Sequence, residues 1–163
     1  PDLGEGLDEL APDARARALR RCCAAGRWVS RMAGRAPFGD ETSVFRAADE
    51  IGRALGPEDL LEAIASHPRI GARELTERWS AEEQSGVAGA SPETLEALDR
   101  ANEAYEERFG FRFLICASGL GAEAMLEALD RRLENDRETE LRVAAAEQAA
   151  ITRLRLARLT EEV

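Results

Sequence analysis

The chain has 163 residues, with 32 acidic side chains against 22 basic ones and a net charge of −10. All 22 basic residues are arginine, so a lysine Schiff base, a covalently held pyridoxal phosphate and a Gly-Lys-Ser/Thr phosphate loop are all excluded. One histidine and three cysteines cannot build a zinc-finger array. The acidic balance argues against a nucleic-acid partner, and no apolar run reaches membrane-spanning length.

The length suits one compact domain over residues 1–163. Alanine and leucine supply most of the apolar content and favour helix. Pro12 can open a first helix reaching about Cys23. A short helix carries Trp28 and Met32 and stops near Gly34. Asp40 can cap the next one, with Val44, Ala47, Ala48, Ile51 and Leu55 on one face. Gly56-Pro57 ends it and starts another, carrying Leu60, Leu61 and Ile64. The stretch from Ser66 to about Ser80 reads as less regular.

Ser91-Pro92 caps a longer helix through Leu95, Leu98, Ala101 and Tyr105, ending near Gly110. Residues 111 to 117 are apolar and aromatic, and a lone run of that kind has no strand to pair with. It is expected to be an extended connector packed on helices. A helix from Gly121 to Leu133 follows, then a long closing helix from about Arg137 to Leu159. The fold class is all-α, a compact bundle of seven to eight helices.

Three places can carry chemistry. His67, in His67-Pro68-Arg69-Ile70-Gly71, precedes a proline and so should sit just past a helix end. Imidazole suits proton transfer near neutral pH; equally, its charge could cap the C-terminus of the preceding helix. Ser80, Glu83 and Gln84 fall at i, i+3 and i+4, on one helical face. Ser-x-x-Glu is also the pattern of a capping box, in which Glu83 would only reach back to the Ser80 N–H. Arg155 has Ile151 and Leu159 four residues to either side, so it interrupts an apolar stripe, unlike Arg153 and Arg158. A charge placed there should be paired or should bind an anion, or its stem could snorkel to water. Cys22, Cys23 and Cys116 read as free thiols acting as small buried hydrophobes.

Taken together, these segments resemble the 2-oxo-4-hydroxy-4-carboxy-5-ureidoimidazoline (OHCU) decarboxylases. The matching elements are His67-Pro68-Arg69-Ile70-Gly71, Ser80-x-x-Glu83-Gln84-x-Gly86, the run from Asn102 and Tyr105 through Phe109-Gly110-Phe111 to Ala117, and Ile151-x-x-Leu154-Arg155-Leu156. The resemblance implies an all-helical homodimer with no cofactor and no metal. It implies His67 and Glu83 as catalytic residues and Arg155 as the contact to an anionic substrate. Pro68, Ser80, Gln84 and the connector residues Phe113, Leu114, Ile115, Cys116 and Ala117 would line the pocket. The family's substrate has a carboxylate beside a ring C=N that can accept electrons, so decarboxylation needs no external electron sink.

The competing reading is a non-catalytic helical module that presents a face to a partner protein. The chain ends Glu161-Glu162-Val163, without a Ser-Lys-Leu address, so a cytoplasmic location is expected.

Overall fold

The computed structural model describes residues 1–71 and 78–163. In chain order these form helices α1 (Leu3–Glu9), α2 (Pro12–Cys22), α3 (Gly26–Ala33), α4 (Glu41–Arg53), α5 (Pro57–Ala65) and α6 (Arg78–Glu83). A 3-10 turn at Ser85–Val87 follows, then α7 (Pro92–Phe109), α8 (Ala122–Arg132) and α9 (Arg137–Leu159). The all-α expectation holds. Among the described residues there are nine α-helices rather than seven or eight, and no strand.

The extra helices have physical reasons. α1 is opened by a reciprocal capping box, in which Asp2 accepts from the Glu5 N–H and the Glu5 side chain reaches back to the Asp2 N–H. Gly4 and Gly6 hide that signal, because glycine disfavours helix. Tertiary packing demands them: a Cβ on Gly4 would lie 2.4 Å from the Asp40 backbone, and one on Gly6 2.7 Å from Val163. α6 lies in the stretch read as irregular, and its first residue is already Arg78. Residues 66–71 of that stretch form turns and irregular backbone, and residues 72–77 lie outside the described residues.

The chain divides into two compact units. One comprises Pro1–Ala63 and Gln148–Val163, the other Ile64–Glu147. In the first, α2 packs on α3, and α4 packs on both α1 and α3. Its core includes Leu3, Leu7, Leu19, Trp28, Met32, Val44 and Ile51, with Ile151, Leu156 and Leu159 from the second half of α9. Val44, Ala47, Ala48 and Ile51 of the apolar face foreseen on α4 are buried, whereas Leu55 lies past the helix end and is half-buried; Asp40 caps this helix by accepting from the Ser43 N–H at 2.8 Å.

In the second unit α7 packs on α8. Ser91 caps α7, and Gly110, at φ +80, closes it in the left-handed conformation with its N–H on the Glu106 carbonyl at 2.8 Å. Residues 112–117 then form a connector without regular secondary structure. Tyr105, Phe109, Phe111 and Phe113 form an aromatic cluster where α7 meets this connector, with Tyr105 edge-on to Phe113 at 5.3 Å. Among the described residues no helix is long and apolar enough to cross a membrane.

Candidate active site

Pro68 cannot continue a helix and pushes His67 out of the α region. α5 accordingly stops at Ala65, and the His67 N–H donates to the Ile64 carbonyl at 3.1 Å. His67 is buried, 7% exposed. The turn that follows it is fastened from several directions. Gln84 accepts from the Gly71 N–H through Oε1 at 3.0 Å and donates from Nε2 to the Arg69 carbonyl at 3.3 Å. The buried Asn102 donates to the Ile70 carbonyl at 3.0 Å. Arg69 forks onto Glu106 at 2.6 and 3.2 Å and reaches Asp99 at 3.3 Å. The Glu106 carboxylate raises the pKa of the Arg69 guanidinium. Arg112, at the start of the connector, donates from Nη1 to the His67 carbonyl itself at 2.6 Å.

Ser80, Glu83 and Gln84 are all buried, as the shared helical face requires. The described helix starts before Ser80, which is not the cap position that the capping-box alternative needs. Ser80 is the third residue of α6, and its carbonyl accepts the intrahelical bond from the Gln84 N–H at 3.0 Å. Glu83 is the last residue of that helix. Three residues on, Gly86 passes so close to the backbone of Leu120 that a Cβ there would lie 1.8 Å from its carbonyl oxygen. The turn after the connector is thereby held against the 3-10 turn that follows α6.

Phe113, Leu114, Ile115 and Ala117 are buried; Pro68 and Cys116 are half-buried. The reading of all three cysteines as buried hydrophobes thus holds for Cys22 and Cys23 but not fully for Cys116, whose place on the connector leaves it partly open. Burial pushes the Cys22 thiol up to about 12 and raises that of Cys23.

One buried cluster has no counterpart in the sequence reading. Glu140, fully buried in the first turn of α9, accepts from the Tyr105 hydroxyl at 2.5 Å, from Arg132 Nε at 2.6 Å and from Asn135 at 3.0 Å. Arg132 also donates from Nη1 to the Leu114 carbonyl at 2.7 Å and lies over the Phe113 ring at 4.4 Å. Desolvation, then the Glu140 carboxylate, raises the pKa of Tyr105. The signal that could have exposed this cluster is the acidic residue at position 140, facing the core from an otherwise solvated first turn.

Arg155 lies in the other unit. It is buried, 8% exposed, and donates to the Arg21 carbonyl at 3.0 Å. Arg153 is exposed, pairs with Asp49 at 2.7 Å and covers the Phe45 ring at 5.0 Å. Burial therefore singles out the arginine that the apolar stripe picked. Among the described residues no group of three or more His, Cys, Asp or Glu side chains is placed to hold a metal ion.

A buried imidazole and a buried carboxylate lie in the same unit as a buried hydroxyl and amide, the group types that acid–base chemistry uses. The chain belongs to the OHCU decarboxylase family, whose profile it matches over residues 8–157. It is 34% identical over 145 residues to the uric acid degradation bifunctional protein TTL of Arabidopsis thaliana, covering 85% of this chain and 45% of that protein. The bifunctional protein PucL of Bacillus subtilis is 33% identical over 138 residues, with 28% of its length covered. The chain thus spans less than half of these two relatives. It is also 34% identical over 118 residues to the OHCU decarboxylase of Haloferax volcanii, covering 71% of this chain and 68% of that one. Among solved structures, an OHCU decarboxylase crystallised in the presence of (S)-allantoin superposes with a TM-score of 0.79 at 35% identity, covering 87% of this chain and 96% of that one.

Proposed function

We propose that the chain is a carboxy-lyase that decarboxylates 2-oxo-4-hydroxy-4-carboxy-5-ureidoimidazoline to (S)-allantoin in urate degradation. What carries this reading is the burial, in one unit, of His67, Ser80, Glu83 and Gln84, with the turn after His67 clasped by Gln84. The family match and the relative crystallised with (S)-allantoin support the same assignment.

The chemistry follows from the substrate. The bond from the ring carbon to its carboxylate breaks, and CO₂ leaves. The electron pair forms a C=C bond as the adjacent C=N pair moves to nitrogen, which takes a proton. The hydroxyl then gives up its proton to become a carbonyl, and the C=C pair takes a proton at the ureido-bearing carbon. His67 and Glu83 handle these transfers, one holding the proton that the other orients. Delivery from one side yields a single enantiomer. Arg155 pairs with the substrate anion as a guanidinium fork. Pro68, Ser80, Gln84 and residues 113–117 contact the substrate's body.

The proposal extends to residues 1–163 acting as one decarboxylase domain, since the family match runs from one unit through the other. It extends also to a cytoplasmic homodimer working without cofactor or metal, because the substrate accepts its own electrons. The test is direct. The substrate is generated in situ from urate, and circular dichroism follows the appearance of optically active allantoin. The protein should accelerate it well beyond buffer; a rate equal to buffer would return the chain to the helical-module reading.

A further inference from the structure

We propose that the buried Arg132–Glu140 pair positions the connector for the reaction, making Arg132 a positioning residue rather than a plain structural one. The inference rests on the decarboxylase reading above. Two opposite charges are buried here, and such a pair commonly adds little stability over apolar groups of similar volume. Its geometry suggests a different use.

The connector belongs to no helix or strand among the described residues, so its backbone groups must be held one at a time. Arg132 holds one of them: Nη1 donates to the Leu114 carbonyl at 2.7 Å and Nε donates to Glu140 Oε1 at 2.6 Å, while Nη2 lies 2.5 Å from the same oxygen as an ion-pair contact without a hydrogen bond of its own. Glu140 is in turn fixed by Tyr105 and Asn135. Two residues before Leu114, Arg112 ties the same connector to the His67 carbonyl at 2.6 Å. Six residues after it, the Leu120 carbonyl presses on Gly86, just beyond Glu83. The segment from Arg112 to Leu120 therefore runs from the histidine's backbone to the 3-10 turn after the glutamate's helix, and Arg132 sets the connector's height between them. The fork matters. One guanidinium gives separate nitrogens to the carboxylate and to the carbonyl, which a single ammonium cannot reproduce.

Two variants test this, each followed by thermal melting, kcat, KM and the enantiomeric excess of the allantoin formed. Arg132→Met/Glu140→Gln removes both charges together, so neither is left buried alone. Arg132→Lys keeps the charge opposite Glu140 and decides the question should the double variant not fold. Arg142→Met, which removes an exposed arginine paired with Glu138 on the same helix, is the control. The folded Arg132 variants should lose about 10- to 100-fold in kcat, the scale of a misplacement near 1 Å. KM should move far less, and the enantiomeric excess should fall; the control should match wild type. A merely structural role would lower the melting temperature and leave kcat and enantiomeric excess at wild-type values, and that result overturns the inference. If wild type itself fails to accelerate allantoin formation, the decarboxylase reading fails instead.

Discussion

Gly86→Ala should damage both stability and rate. The added Cβ would sit 1.8 Å from the Leu120 carbonyl oxygen, 2.8 Å from its carbonyl carbon and 3.2 Å from the Gly121 Cα. All three are backbone atoms, so no side chain can swing aside. Reaching ordinary contact near 3.4 Å requires the two segments to part by about 1.6 Å, enough to forfeit most of the dispersion between them. Overpacking of this kind costs about 1–3 kcal/mol, and a backbone-to-backbone clash belongs at the upper end. For a chain of this size that is a fall in Tm of about 6–12 °C. The segment that must move begins three residues after Glu83, so kcat should drop by about 10²-fold, the scale of a 1 Å displacement. Gly52→Ala is the contrast. It lies inside α4 with nothing within 4 Å of its Cβ, and should gain about 0.4–1 kcal/mol. Melting followed by circular dichroism, with the allantoin assay alongside, reads both effects. Wild-type Tm and kcat in Gly86→Ala would refute the reasoning.

Gln84→Ala leaves the Gly71 N–H and the Arg69 carbonyl without their side-chain partner. Urea unfolding should show a loss of about 1–2 kcal/mol, and an unchanged midpoint would show that the turn after His67 stands without it. Arg155→Lys should lower kcat/KM by at least about tenfold, because a fork to an anion is lost. Arg153→Met, an exposed pair, should stay within about 0.5 kcal/mol and keep its rate; equal kinetics in the two variants would remove Arg155 from the site. Cys22 gives a pH prediction. Its thiol pKa rises from 9.0 to about 12 on folding, so between those values the folded chain keeps a proton that the unfolded chain loses. The stabilisation is complete below pH 9 and is lost as pH rises towards 12, amounting to about 4 kcal/mol. Urea unfolding from pH 8 to 11 should show a shallower decline in Cys22→Ala than in wild type, and parallel curves would contradict this.

Local signals in the sequence were reliable where the physics is local. Asp40 and Ser91 cap the helices foreseen for them, and Gly110 closes α7, because each acts on backbone within a few residues. The connector at residues 112–117 was legible for the opposite reason: an apolar run with nothing to pair with. α1 was not, because Gly4 and Gly6 serve contacts with Asp40 and Val163, far along the chain. The site divides in the same way. Pro68 marks where α5 must stop, and the i, i+3, i+4 spacing puts Ser80, Glu83 and Gln84 on one face, although the same spacing imitates a cap. The fasteners stayed invisible. Arg112 reaches a carbonyl 45 residues away, and Arg132 one 18 residues away, and a bond to a backbone carbonyl leaves no imprint on the partner's residue type.

The central claim, that the lone histidine handles the protons of decarboxylation, is tested most directly by His67→Asn. Asparagine is polar and fits the space but cannot exchange a proton near neutral pH. With the helical spectrum unchanged, the variant should form optically active allantoin at least about 10²-fold more slowly than wild type. A folded His67→Asn protein that turns over at the wild-type rate and yields the same enantiomer would contradict the account.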